Sequence, residues 1–249
     1  MDKVDRLGWT VGFAREYRGM KLGFRADRTE ALEVLRELIE PLQTHESNAE
    51  EVDYLYSYRG GRQRGKFRDY HLLYQSARKV VRTLDAAELQ AALELEVNLL
   101  LGMTAPDTVC LRAGSVLRGG RALLVLGGEG QGTSTLLAAL HGAGATRLTD
   151  SFVLLDAHSG RMLSHGQPEV GAVFSTGFTP SRRFRPRRLA SGEAALCLFG
   201  AAPAASVQAE RLLPAVARFS RLIPVFKGDR SRVEAAARLI LREFDKLYL

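Results

Sequence analysis

The apolar and polar positions of the first hundred residues follow short alternating segments interrupted by two helical ones. Residues 7–26, LGWTVGFAREYRGMKLGFRA, alternate in short runs on either side of Arg18-Gly19, which predicts a hairpin. Residues 28–42 place Leu32, Leu35, Leu38 and Ile39 at helical spacing, with Thr29 as the expected N-cap. VDYLYSY at 52–58 reads as a strand entering a Gly/Arg loop at 59–66, and YHLLYQ as an extended piece closing another hairpin. Residues 85–101 read as a long amphipathic helix capped by Asp85, with Leu89, Leu93, Leu95, Val97, Leu100 and Leu101 as its apolar positions. The break GMTAP at 102–106 sets the expected boundary: a smaller mixed α/β region over 1–104 and a second domain over 105–249.

The second half opens with two strands, TVCLRAGSVLR and RALLVLGG, joined at Gly119-Gly120. A helix, TSTLLAALHGAG, comes next, followed by a strand over ATRLTDSFVLLD and a turn at HSG. An irregular stretch is expected over roughly 164–192, then an apolar strand at AALCLFG, a helix at 207–221 and the strand LIPVFKG. SRVEAAARLILREFDKLYL closes the chain as a helix, with Ser231 as its N-cap. Strand, glycine loop, helix and strand, in that order, predict an α/β fold with a P-loop unit.

The loop is GGEGQGTST, residues 127–135. Against G-x-x-x-x-G-K-[ST], Gly127, Gly132 and Ser134 fit, and Thr133 stands where lysine belongs. Gly127, Gly130 and Gly132 let backbone N–H groups converge on an anion, with Thr133, Ser134 and Thr135 opening the helix whose N-terminus adds partial positive charge. Ser134 retains a hydroxyl for magnesium. The absent ammonium removes charge-assisted bonds to β- and γ-phosphates worth about 1.5–3 kcal/mol each, and with them stabilisation of the transferring group. Glu129 adds a negative side chain beside the same oxygens. A glycine-rich strand-to-helix turn that binds nothing is the plain alternative.

These residues give the second half a resemblance to the HPr kinase family, whose P-loop domain is related to that of phosphoenolpyruvate carboxykinases. More closely, it is similar to HPr-kinase-like proteins encoded near peptide-modification genes in bacteria. The motifs run over about residues 108–170. A His-Ala-Gly or His-Gly segment of the family corresponds to Arg112-Ala113-Gly114, its Gly-Lys-Ser to Gly132-Thr133-Ser134, and its Ser-Asp-Asp or Ser-Asp-Glu to Thr149-Asp150-Ser151. The resemblance implies that Asp150 matches the acid that activates an acceptor hydroxyl and, with Ser134, holds magnesium. It also implies that histidine, lysine and the second acid have become Arg112, Thr133 and Ser151.

Composition changes this picture little, and charge changes it more. At 46% apolar and 25% charged residues the chain is an ordinary globular protein. Its longest apolar runs, such as ALLVL, are too short to span a bilayer. MDKVDRLGW carries four charges and no apolar core of a signal peptide, so a cytoplasmic protein is expected. Cys110 and Cys197 lie in apolar runs and read as small hydrophobes, and the five histidines show no metal-ligand spacing.

The net charge of +7 gathers in two segments: Arg59, Arg62, Arg64, Lys66 and Arg68, and then Arg182, Arg183, Arg185, Arg187 and Arg188. Solvated loops and docking of an acidic protein or peptide are the two readings of these segments. Aromatics at 8% and the lack of a recognition helix disfavour nucleic acid. Arg112 and Arg147 are candidates to replace the lysine, and Arg182, Arg183 and Arg185 to contact phosphate or a partner.

Three functions follow from these readings. The leading one is a catalytically degenerate HPr kinase-like regulatory or scaffolding subunit, with weak binding of ATP and magnesium and no cofactor required. The second is an active ATP-dependent kinase of a peptide or protein hydroxyl, with Asp150 as base. The third is a nucleic-acid-binding module using the arginine-rich loops. HPr kinases assemble as oligomers, so the resemblance also implies a homo-oligomer.

Overall fold

The computed structural model describes residues 3–40, 44–47, 51–61, 63–64, 67–105, 107–127, 130–181 and 183–248. Glu129, Arg182, Arg62 and Lys66, singled out above, lie outside the described residues. The chain divides into two compact units, Met1–Val97 and Asn98–Leu249.

In the first unit, β1 (Val11–Tyr17) and β2 (Met20–Ala26) form the expected hairpin, in register from Val11↔Ala26 to Tyr17↔Met20. Arg18 and Gly19 between them both have positive φ, 50° and 82°, the conformation that matches the twist of the flanking strands. Helix α1 (Thr29–Ile39) buries Ala31, Leu32, Leu35 and Ile39. Thr29 is its first helical residue rather than its cap. The flanking position is Arg28, extended and making no side-chain cap bond, since a guanidinium has no acceptor to offer the first-turn N–H groups; it donates instead to the Gly60 and Gly61 carbonyls.

Strands β3 (His45–Ser47), β4 (Tyr54–Arg59), β5 (Gln63–Arg64), β6 (Phe67–Arg68), β7 (His71–Gln75) and β8 (Arg78–Thr83) follow. The main sheet runs β3-β1-β2-β4-β7-β8, antiparallel except where β2 and β4 pair in parallel on either side of α1. Helix α2 (Ala86–Thr104) begins as expected, with Asp85 Oδ1 accepting from the Ala87 N–H at 2.9 Å. It runs on through Gly102, so the chain passes from one unit to the next inside a helix.

The second unit contains β9 (Thr108–Arg118), β10 (Arg121–Leu126), α3 (Thr133–Gly142), β11 (Thr146–Thr149), β12 (Phe152–Asp156), β13 (Val170–Ser175), β14 (Arg187–Arg188), α4 (Ser191–Ala201), α5 (Ala209–Leu222), β15 (Val225–Lys227) and α6 (Val233–Tyr248). Its sheet runs β11-β9-β10-β13-β15-β14, with β12 also on β9. Strands β10, β13 and β15 are parallel at its centre. Alternation along β10 sends Ala122, Leu124 and Leu126 to a core shared with Leu198 of α4 and Val216 and Phe219 of α5. Leu123 and Val125 face a second core with Leu136, Leu137 and Leu140 of α3 and Ile240 and Phe244 of α6. This is a parallel-centred α/β sheet covered on both faces.

Four sequence expectations are corrected here. The strand expected over 145–156 is two strands, both pairing with β9 and separated at Asp150-Ser151. The stretch 164–192, expected to be irregular, contains the central strand β13. Its run VGAVFS is buried on both faces and so lacks alternation. AALCLFG lies in helix α4, not a strand; a short apolar run has no period that separates the two, and alanine favours the helix. Helix α6 starts at Val233, which makes Arg232 rather than Ser231 its flanking residue.

Candidate functional site

The site is built where β10 ends. Gly127 follows the strand directly, and a Cβ placed on it would lie 1.7 Å from Thr133 Oγ1. The Thr133 side chain is therefore folded back across the loop onto its first residue. Gly132 is the N-cap of α3 with φ 69° and ψ 32°, the left-handed region that only glycine enters without strain. The first-turn N–H groups of α3 have no intrahelical acceptors.

Sheet register gathers the other two motif segments beside this loop. Ala113 pairs with Leu126 and Gly114 with Val125, so Arg112-Ala113-Gly114 runs alongside the end of β10. On the other side of β9, Phe152 pairs with Arg112, and the Ala113 N–H donates to the Ser151 carbonyl at 3.2 Å. Arg112-Ala113-Gly114, Gly127 at the end of β10 and Thr149-Asp150-Ser151 thus meet at one end of the sheet, although they span forty residues of chain. A cavity of about 440 Å³ opens there, lined by Arg112, Leu126, Gly127, Gln131, Ser175, Cys197 and residues 200–203. It lies at the carboxyl ends of parallel strands β10 and β13, the usual crevice of an open α/β sheet.

The individual candidates differ in what they are free to do. Arg112 is exposed, faces the cavity, and lies over the Phe152 ring with its guanidinium carbon 5.9 Å from the centroid. Asp150 is half-buried, and its carboxylate is gripped by the Arg147 guanidinium in an ion pair. Arg147 is thereby committed to Asp150 and not to the loop. Ser134 and Thr135 are exposed on the first turn of α3, and Gly130 has φ 73°. Arg183 and Arg185 are exposed ahead of β14. None of Asp150, Arg147, Thr133, Ser134, Arg183 or Arg185 is among the described residues that line the cavity. Among the described residues no group of three His, Cys, Asp or Glu is placed to hold a metal ion. Burial pushes the Cys110 thiol up to about 12, whereas Cys197, half-buried, reaches the cavity.

The residue missed by sequence reasoning is Arg230, between β15 and α6. It is 1% exposed. Its N–H donates to the Gly177 carbonyl and its carbonyl accepts from the Thr179 N–H, both at 2.9 Å. Its Nη2 donates to the carbonyls of Gln131 at 2.7 Å and Gly132 at 2.8 Å. No carboxylate pairs with it among the described residues, its Nε has no partner, and desolvation lowers its pKa. Nothing in GDRSR distinguishes this arginine from its neighbours, and its target lies 98 residues away.

Fold and site together define an α/β unit with a glycine-rich connection, carrying no lysine, between a central strand and the helix that follows it. No protein-family model matches the chain, and no curated protein matches it. Among solved structures it is similar to the Hpr(Ser) kinase/phosphatase from Coxiella burnetii, at 14% identity over 55% of this chain and 96% of that one, with a TM-score of 0.30. No helix among the described residues is long and apolar enough to cross a membrane.

Proposed function

We propose that this chain is a catalytically degenerate HPr kinase-like protein, acting as a regulatory or scaffolding subunit and binding phosphate or nucleotide weakly. The observation that carries this reading is the state of the acid. Asp150, the residue in register with a hydroxyl-activating carboxylate, is consumed by Arg147. A carboxylate paired with a guanidinium is a poorer base and a poorer magnesium ligand. Position 133 offers a hydroxyl folded onto Gly127 in place of an ammonium. The cations that remain exposed, Arg183 and Arg185 among them, suit an acidic protein or peptide partner.

The test is turnover and nucleotide affinity. Incubated with ATP, magnesium and hydroxyl-bearing acceptor peptides, the wild-type protein is expected to release no ADP above background. Calorimetric ATP binding is expected to be insensitive to magnesium, and Thr133→Lys to tighten it about tenfold or more, the return of one charge-assisted bond. Phosphoryl transfer at an enzymatic rate, abolished by Asp150→Ala, restores the kinase reading.

A further inference from the structure

Two helices of this chain carry rows of opposite charge at matching repeats. On α6, Arg238, Arg242 and Lys246 are exposed and recur every fourth residue, a row with a repeat of about 6 Å along one face. They border an open groove of about 460 Å³ that also takes in Leu241, Arg118 and Ala143, the C-cap of α3. Arg118 gives the groove a fixed end. Its guanidinium donates to both Asp245 oxygens, at 3.0 and 2.8 Å, and to the Gly144 carbonyl at 3.3 Å. The cations outnumber the acids: Asp245 is spent on Arg118, and Glu243 lies 2.8 Å from Lys246 and 3.9 Å from Arg242. Arg238 makes no ion pair among the described residues. The groove lies at the Arg118–Arg121 end of the sheet and Gly127 at the other, a six-residue strand of about 20 Å away. It is therefore separate from the cavity described above.

On α1, Glu30, Glu33, Glu37 and Glu40 are exposed, Glu40 being the residue that closes the helix. Steps of three and four residues keep them on one face over about 15 Å, against about 12 Å for the α6 row. Val34 and Leu38 are half-buried at the margin of that face. Glu30 and Glu33 have only loose neighbours, Arg28 at 3.7 Å and Arg36 at 3.5 Å, and their side chains are 81% and 57% exposed. Glu37 and Glu40 make no ion pair among the described residues. We propose that α1 of one copy of this chain lies in the α6 groove of a second copy. Its glutamates meet Arg238, Arg242 and Lys246, and Val34 covers Leu241 and Ala143, a helix laid into a groove. Each surface lies wholly within one unit, and each lacks the charge that the other supplies. The contact is heterologous, an acidic face on one chain against a basic face on the next. In a chain of net charge +7, that acidic row is what a second copy attracts. A nucleic acid suits the groove less well, because its floor is aliphatic, it has no ring to stack a base, and Asp245 stands among its cations. The proposal goes beyond the reading above and holds whether or not the glycine loop takes a ligand.

The measurement is self-association of the full chain, by sedimentation equilibrium at low salt. The unmodified chain is expected to show an average mass that rises with concentration above that of one chain. The rise is expected to vanish in about 1 M salt, where the screening length is about 3 Å. Two charge reversals separate the surfaces: Glu33→Lys with Glu37→Lys on α1, and Arg238→Glu with Arg242→Glu on α6. Each alone is expected to raise the dissociation constant about tenfold or more. Mixed in equal amounts, the two variants are expected to associate again. The reversed α1 of the first then meets the reversed α6 of the second, and their unreversed surfaces meet likewise. An unmodified chain that stays single at every concentration and salt overturns the proposal. So does association that neither reversal weakens, and so do two variants that stay apart when mixed, since the contact then lies on other surfaces. None of these outcomes bears on ATP turnover or phosphate affinity, so the reading of the glycine loop stands or falls separately.

Discussion

Each unit of this chain holds a glycine loop by the carbonyls with an arginine, and the two devices differ in one component. In the first unit Arg28 donates to the carbonyls of Gly60 at 2.9 Å and Gly61 at 3.2 Å. Asp27 sits beside it, with Oδ2 at 3.1 Å from Nη1 and Oδ1 accepting from the Gly60 N–H at 3.1 Å. The Gly61 N–H finds His71 Nδ1 at 3.2 Å. Carbonyls, amides and charge are all satisfied within the unit, and nothing is left to recruit. In the second unit Arg230 binds the Gln131 and Gly132 carbonyls in the same way, but among the described residues no carboxylate answers it. The same clamp carries its own anion in the first unit and none among the described residues in the second.

The sharpest way to break that comparison is to remove the internal anion. Asp27→Ala leaves the half-buried Arg28 with only the exposed Glu30 carboxylate, 3.7 Å away, and strips the Gly60 N–H of its acceptor, and is expected to cost the first unit about 2–3 kcal/mol. Trp9, the chain's single tryptophan, lies in that unit with its Nε1 donating to the Val4 carbonyl at 2.9 Å. Its fluorescence in a urea titration therefore reports the loss directly. Arg230→Met removes a buried charge that no carboxylate answers among the described residues, at the cost of the Gln131 and Gly132 carbonyls losing their donor, so circular dichroism should find a smaller loss of stability than Asp27→Ala causes. Equal costs for the two substitutions would mean that Arg230 is a paired structural cation like Arg28, and the comparison would fall.

A smaller effect tests how the open loop keeps its shape. Gly127→Ala places a Cβ 1.7 Å from Thr133 Oγ1 and 2.9 Å from Thr133 Cβ. Overpacking of this kind costs about 2 kcal/mol. In a Thr133→Gly background both colliding atoms are gone, and the same substitution should cost far less. Thermal denaturation of the four proteins gives the coupling between the two positions. Additive costs would show that the Thr133 side chain does not lie across the loop.

Much of this site was legible because its parts are local. β9, β10, the glycine loop and α3 follow one another in the chain, and Arg112, Thr133 and Ser151 each sit inside a short segment that the sequence reading singled out. Long-range sheet pairing then brings the three motifs together, as Ala113↔Leu126 and Phe152↔Arg112 record. What escaped was of two kinds. β13 is buried on both faces, and full burial erases the period that distinguishes strand from helix. α4 is a short apolar run in which Ala194 and Leu198 are buried but Leu196 is exposed, so its apolar residues mark no face. Arg230 and the Arg147–Asp150 pair escaped for a different reason. Arginine's function is set by what it meets, and a sequence shows arginines without their partners.

The mildest prediction concerns the closed clamp's dependence on pH. The Gly61 N–H can only donate, so His71 Nδ1 is an acceptor and the Tyr58 hydroxyl, 2.8 Å away, donates to it as well. The ring is therefore neutral, with its proton on Nε2. Burial lowers its pKa, the Arg28 charge lowers it further, and Asp85 opposes them. A histidine whose folded pKa is below that of the unfolded chain binds more protons when unfolded, so stability rises with pH. The contribution of His71 is complete above its ordinary value of 6.5 and declines as pH falls through that value towards the folded one. Urea midpoints read by Trp9 should thus be lower at pH 5.5 than at pH 7.5, and the difference should shrink in His71→Gln, which keeps an acceptor but does not titrate. A midpoint that rises on acidification, or an equal slope in His71→Gln, would show that the Gly60–Gly61 loop is not held by a neutral imidazole and that the first unit's clamp is less closed than its hydrogen bonds make it.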